Sequence, residues 1–304
     1  MFNSKTSKKH FLILFLIAAL GSTLAFTFLE SDNYKTWFTE SYKLKSPYIP
    51  ADINFAGEIM PVTQDDILER MDREIMATAF WQSSTMMLLK RSKKYFPIIE
   101  PILKENNIPL DFKYLCVAES GLSNATSPSN AKGFWQLLEG TAKPLGLEIN
   151  DYVDERFHLE KATRAACAYF KESYAQFNNW TLTAASYNRG QAGTMRDLNY
   201  QGANSFYDLY MNDETSRYIF RIVAYKLIFE NPQLYGFYLN DSDYYAMKPR
   251  ILISVDSSIS SLSLFAQDQG SNYKTLKLYN PWLRDRSLPN KGNRKYQIEL
   301  PLQP

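Results

Sequence analysis

Hydrophobic and polar positions change their rhythm three times along the chain. Residues 11–29 form an apolar run with no charged residue, relieved only by Gly21, Ser22, Thr23 and Thr27. At about 1.5 Å of rise per residue this run measures roughly 28 Å, close to the ~30 Å hydrocarbon core of a bilayer. Lys5, Lys8 and Lys9 precede it, so the pattern predicts an N-terminal transmembrane helix with a basic cytoplasmic tail over residues 1–10 and an exported remainder. A cleaved signal peptide, with Thr23, Leu24 and Ala25 as a poor cleavage site, is the alternative. No cysteine directly follows the run, so a lipidated anchor is not expected. Residues 30–63 are rich in Tyr, Ser, Pro and Asn without a sustained period and read as a linker.

From Asp65 the period becomes helical: Ile67, Met71, Ile75, Ala79, Met86, Leu89 and Phe96 recur at steps of three and four or their multiples. Pro97, Pro101 and Pro109 punctuate the next part. Residues 111–120 predict a short helix that brings Phe112, Leu115, Cys116 and Glu119 near one face. Further helices are expected over 158–177, 181–187 and 214–230. Near Arg250 the period turns strand-like at Ile251, Ile253 and Val255. Helical patches at 258–269 and 273–278 follow, and Tyr296, Ile298 and Leu300 close the chain as a strand. The expectation is a mainly α protein with a helical domain over 64–240, a linker near 240–248 and a small β-α-α-β module over 250–302.

Composition narrows the function. The chain has 304 residues, 34 Lys+Arg against 32 Asp+Glu, and a net charge of +2, with no basic block of the kind that nucleic-acid proteins carry. Two histidines, His10 and His158, and two cysteines, Cys116 and Cys167, do not assemble a tetrahedral metal site, because His10 adjoins the membrane segment. No metal, cofactor or nucleic-acid partner is expected. Both cysteines sit in apolar helical patterns and read as buried thiols, with a disulfide as the alternative.

Cleaving a glycosidic bond requires an acid still protonated near neutral pH and a way to stabilise the positive charge that develops on the sugar. Glu119 follows Tyr114, Leu115, Cys116, Val117 and Ala118, an apolar setting that raises a carboxyl pKa. A lone glutamate at a helix end is more often a solvated or capping residue, so the segments that follow carry the weight. They are Glu119-Ser120-Gly121, then residues 125–136 (ATSPSNAKGFWQ), then Gly140-Thr141-Ala142, then residues 184–190 (AASYNRG). In this order they resemble the lytic transglycosylase family, in particular its membrane-bound murein transglycosylase D type, over about residues 64–235.

The resemblance implies a lysozyme-like helical catalytic domain that cleaves the MurNAc–GlcNAc β-1,4 bond of peptidoglycan without adding water, leaving 1,6-anhydromuramic ends. It implies Glu119 as general acid and then base, and Ser120, Ser127, Gln136, Tyr187 and Asn188 as substrate-binding residues, with Tyr187 and Asn188 facing the glutamate. Peptidoglycan strands would be the partner, and the location a bacterial envelope, inner-membrane anchored with the body in the periplasm, or secreted if the signal is cleaved. Structural readings stand beside these roles: Ser120 as helix-end satisfaction, Trp135 as core wall rather than sugar platform, Tyr187 as core tyrosine. Gly133 and Gly190 read as backbone requirements.

Three positions depart from the family pattern: Asn130 for a usual Gly, Glu139 for a frequent Pro, and Arg189 for a small residue. Asn130 is tolerable because Asn visits left-handed backbone, and Arg189 has either a substrate peptide carboxylate or solvent to face. Residues 251–301 resemble a degenerate lysin motif, which implies glycan gripping; a structural cap docked on the helical domain is the alternative. A muramidase using Asp151, Asp154 or Glu155 as base, and an inactive peptidoglycan-binding scaffold, remain as rival functions.

Overall fold

A computed structural model describes residues 44–302 together with Thr36. The basic tail and the apolar run at 11–29, with its anchor or signal reading, lie outside the described residues. The chain divides into two units, Met1–Ser46 and Pro47–Pro304, and the strands and helices over residues 54–301 all belong to the second. Among the described residues, no helix is long and apolar enough to cross a membrane.

Helix α1 (Asp65–Phe80) buries Ile67, Met71, Ile75 and Ala79, the stripe its period predicts. Helix α2 (Gln82–Glu105) follows after a one-residue break at Trp81. Pro97 and Pro101 were expected to interrupt the chain, yet both lie inside α2. Each proline removes one backbone donor, but Ile99, Ile102 and Leu103 are buried around them, and that packing outweighs the local defect. Helix α3 (Phe112–Ser120) buries Phe112, Tyr114, Leu115, Cys116 and Val117 and ends at Gly121, whose φ of 60° is the left-handed terminator expected of glycine. A single turn, α4 (Glu139–Ala142), precedes α5 (Leu159–Phe177), α6 (Trp180–Arg189), α7 (Gln191–Gln201) and α8 (Asp213–Glu230). Helix α7 was not anticipated: it is largely polar, and of its residues only Gly193, Thr194 and Leu198 are buried.

The expected linker over 30–63 is corrected at its C-terminal end. Ile53, Phe55, Met60 and Val62 are buried in the helical core, and the short strands β1 (Asn54–Phe55) and β2 (Glu58–Ile59) pair as a hairpin. Polar ties fix it. The Glu58 carboxylate accepts the backbone N–H groups of Trp180 and Thr181 at 2.6 and 2.8 Å, capping α6. The buried Lys226 ammonium of α8 donates to the Asn54 carbonyl at 3.1 Å and to Asp111 at 2.6 Å. These contacts lack a periodic signature, which is why the segment reads as linker from sequence.

The C-terminal segment has the expected order β3 (Arg250–Val255), α9 (Leu262–Asp268), α10 (Tyr273–Tyr279), β4 (Tyr296–Pro301). The two strands pair antiparallel, with Ile253 opposite Ile298. Fully buried Asn280 donates to the carbonyls of Leu276 and Glu299 and accepts from the Glu299 N–H, tying α10 to β4. The module is docked on the helical domain. Val153 and Phe157 belong to its core cluster, the Asp154 N–H donates to the Trp282 carbonyl at 2.9 Å, and the Arg284 N–H donates to the Tyr152 carbonyl at 2.7 Å. The segment before β3 is strapped down as well: Tyr245 N–H donates to the Lys90 carbonyl at 3.0 Å, and Lys93 pairs with Asp241 at 2.7 Å.

Candidate active site

Helix α3 delivers Glu119 to the site. Its apolar face is locked in the core by Phe112, Leu115 and Cys116, and Arg91 donates to the Gly121 carbonyl at 2.8 Å, holding the helix end. Glu119 therefore stands in the last turn, partly buried. Its pKa is pushed up to about 7, first by burial and slightly by the exposed carboxylate of Glu214, against the opposing pulls of a Tyr218 hydrogen bond and the Arg221 charge. The C-terminal end of a helix dipole disfavours a carboxylate in the same sense. A carboxyl poised there is protonated in a substantial fraction of molecules at neutral pH, the state a general acid needs.

Tyr218 on α8, buried at 3% exposure, donates its hydroxyl to the Glu119 carboxylate. The family resemblance placed Tyr187, with Asn188, facing the glutamate. The Tyr187 hydroxyl instead donates to the Trp135 carbonyl at 2.6 Å. It remains an electrostatic neighbour of Glu119, whose charge helps raise the pKa of Tyr187 after burial does. The missed signal was available in the α8 pattern, where Thr215, Tyr218, Ile219 and Ile222 share a buried face.

Asn188, adjacent to Tyr187, accepts from the Thr215 hydroxyl at 3.1 Å, one turn before Tyr218 on α8. Thus α3, α6 and α8 converge on Glu119. The loop over 125–137 completes the surroundings, and its amides hold it together. The Gln136 side chain donates to the carbonyls of Ala125 at 3.1 Å and Gly133 at 2.8 Å, with its own backbone at a left-handed φ of 48°. Ser127 accepts the Ala131 N–H at 3.0 Å across the loop. Ser120 donates to the Cys116 carbonyl at 3.3 Å and accepts from the Ser123 N–H, which satisfies the helix end. In this structure Ser127 and Ser120 serve backbone order, and Gln136 turns its amide N–H groups inward to the loop.

Trp135 is completely buried and its indole N–H donates to Thr163 at 2.9 Å, so it is core wall rather than sugar platform. The same loop is pinned from beneath by Arg156, 1% exposed, which grips Asp154 at 2.9 and 2.8 Å and reaches the carbonyls of Asn130 and Leu137 at 3.3 Å. Gly133 passes so close that a Cβ there would lie 1.8 Å from the Arg156 carbonyl oxygen. Cys116 and Cys167 are both free and buried.

Of the three carboxylates named as a hydrolase's base, Asp151 is exposed, and Asp154 and Glu155 are engaged. Asp154 is held by Arg156 and lies 3.5 Å from Lys132. Glu155 accepts from Lys161 and from the Glu148 N–H. The departures from the family pattern are also absorbed locally. Asn130 adopts φ 63°, Glu139 pairs with Lys143 at 2.6 Å, and Arg189, whose side chain is one-third exposed, pairs with Asp197 at 2.8 and 3.3 Å. Among the described residues, no cluster of His, Cys, Asp and Glu is arranged to hold a metal.

Comparison with known proteins agrees with the motifs. Residues 96–210 match the Transglycosylase SLT domain. Residues 252–304 match the Soluble lytic transglycosylase C-terminal LysM-like domain. The chain is 26% identical, over 234 residues and 75% of its length, to membrane-bound lytic murein transglycosylase D of Escherichia coli K12, and equally to the protein of that description from Escherichia coli O6:H1. It spans about half (50%) the length of these relatives. The chain thus carries a transglycosylase SLT domain followed by a LysM-like C-terminal domain.

Proposed function

We propose that this protein is a lytic transglycosylase of peptidoglycan, acting in a bacterial envelope, with Glu119 as its one catalytic carboxyl group. The observation that carries the proposal is a partly buried glutamate with its pKa near 7, held by a buried tyrosine inside a domain that matches the SLT family.

The chemistry follows from one acid. Protonated Glu119 gives its proton to the glycosidic oxygen as the C1–O bond of the MurNAc unit breaks, and the bonding electrons leave with that oxygen. The positive charge that develops on the sugar ring stands against the new Glu119 carboxylate. The 6-hydroxyl of the same sugar then bonds to C1 and passes its proton to Glu119, which restores the acid and closes a 1,6-anhydro ring. No water is consumed, and no second free carboxylate is required. The engagement of Asp154 and Glu155 in ion pairs supports this route over a hydrolysis that uses either as base, and Asp151→Asn, at the exposed third candidate, is expected to leave the products unchanged.

With the Gln136 N–H groups held by the loop and the Asn188 oxygen held by Thr215, the Gln136 amide oxygen and the Asn188 amide N–H groups are the atoms proposed to meet sugar hydroxyls. Tyr187 holds the loop that carries Gln136 against α6 through the Trp135 carbonyl. Attachment to the inner membrane through residues 11–29 is part of the same proposal, supported by the apolar run and the basic residues before it. The test is product analysis after incubation of the full chain with peptidoglycan: anhydro ends are expected, and reducing ends would identify a hydrolase.

A further inference from the structure

Where the LysM-like module meets the helical domain there is a cavity of about 590 Å³, and Glu119 does not line it. Part of its wall is aromatic, with Tyr95 and Phe157 from the helical domain and Tyr279 and Trp282 from the module. Its charge is one-sided. Arg91, Lys94, Lys248, Arg250 and Lys277 line it against only Glu160 and Glu299. Both of those carboxylates are already held by Arg250, at 2.8 and 2.7 Å. Arg91 donates one N–H to Gly121, Lys277 donates to the Leu283 carbonyl, and Lys94 lies over the Tyr95 ring. None of these last three contacts cancels a positive charge. Apolar walls around uncompensated cations strengthen their field on an incoming anion. A neutral sugar alone leaves that field unused, whereas a chain that joins aliphatic groups to carboxylates satisfies both walls and charge.

The cavity also lies within reach of the chemistry. Leu122, Ser123 and Asn124 line it, and Leu122 follows Glu119 by three residues, so their Cα atoms are no more than about 11 Å apart. A tetrapeptide extends about 13 Å. In peptidoglycan, short peptides with free carboxylates branch from the muramic acid units, so a peptide attached to a sugar near Glu119 has the length to enter.

We propose that the junction cavity binds the acidic peptide arm of a peptidoglycan strand, so that helical domain and module grip one substrate together. The identity of this ligand rests on the proposed transglycosylase function. The test reads binding rather than cleavage, so the two can fail separately. The full chain in detergent, carrying Glu119→Gln so that nothing is turned over, is titrated with a soluble disaccharide tetrapeptide whose carboxylates are free, and with the same compound amidated. Amidation is expected to weaken binding by about ten-fold, and Lys94→Glu or Lys248→Glu to weaken the free-acid form by about five-fold each. Lys274→Glu, exposed and outside the cavity, controls for overall charge and is expected to change nothing. Equal affinity for the acid and amidated forms, or losses at Lys94 and Lys248 no larger than at Lys274, would overturn the proposal. Residual cleavage of peptidoglycan by the Glu119→Gln chain, read separately, would instead count against the assigned acid and leave the binding comparison readable.

Discussion

The hydroxyl of Tyr218 donates to the carboxylate of Glu119 across 99 residues of sequence, joining α8 to α3. Burial raises the pKa of Glu119 while this hydrogen bond lowers it, and burial wins. The bond therefore fixes the carboxyl in place and holds its pKa below what burial alone would set, and its removal has two separable effects.

Tyr218→Phe deletes the donor and keeps the ring. The pKa of Glu119 should rise further, because a contact that favours the carboxylate is gone. The expected pH profile of cleavage keeps its activity to higher pH, while the maximal rate falls about ten-fold through loss of orientation. An unchanged profile with a reduced rate would assign Tyr218 to packing alone.

Glu119→Gln makes a stability prediction independent of catalysis. With a folded pKa of about 7 against an ordinary value of 4.5, the folded state holds the proton more tightly than the unfolded chain. Below the unfolded pKa both states are protonated and nothing is lost. As pH rises from 4.5 to 7 the unfolded state ionises first, and the native state becomes relatively less stable by up to about 3 kcal/mol. Glu119→Gln should therefore stabilise the protein at about pH 8 and make little difference at about pH 4, as read by chemical denaturation at the two pH values.

How much of this was legible in sequence depends on the kind of contact. Glu119 and its helix were readable because Phe112, Leu115 and Cys116 bury at helical spacing and Gly121 terminates the helix. The β-α-α-β order was readable from the change of period at Arg250. The hairpin at 54–59 was not, because Glu58 and Asn54 hold it through polar contacts to Trp180 and Lys226, more than 110 positions away. The buried stripe of α8 marks Tyr218 as a core residue but does not name its partner 99 residues away, and the resemblance drew attention to Tyr187 because Tyr187 sits in the recognisable motif. Ser127 and Gln136 fit their motif, yet their side chains close the loop on itself. The motif marks a loop that must hold its shape as much as a set of groups that touch sugar.

The loop gives a steric prediction. Gly133 has φ +80° and no room for a Cβ beside the Arg156 carbonyl. Gly133→Ala must shift backbone against a buried arginine, so a loss of about 3 kcal/mol or more is expected from strain and overpacking. Gly140→Ala, where nothing lies within 4 Å of the added carbon, serves as the comparison and should be nearly neutral.

Glu74 of α1 is 2% exposed and is paired with both Arg217 and Arg221 of α8. Glu74→Ala leaves these two guanidinium groups without their shared partner, and a cost of about 3 kcal/mol is expected. Arg221 already draws the pKa of Glu119 downward. Released from Glu74 it should do so more strongly and move the alkaline limb of the pH profile to lower pH, the reverse of Tyr218→Phe. Opposite shifts in these two variants would show that the neighbours of Glu119 on α8 set its working range.

The most direct measurement is mass spectrometry of the soluble products released from peptidoglycan by the full chain, with Glu119→Gln in parallel. Muropeptides ending in 1,6-anhydromuramic acid, from the wild-type chain alone, are the predicted result. Reducing ends, release by the Glu119→Gln chain, or no release from either protein would contradict the account.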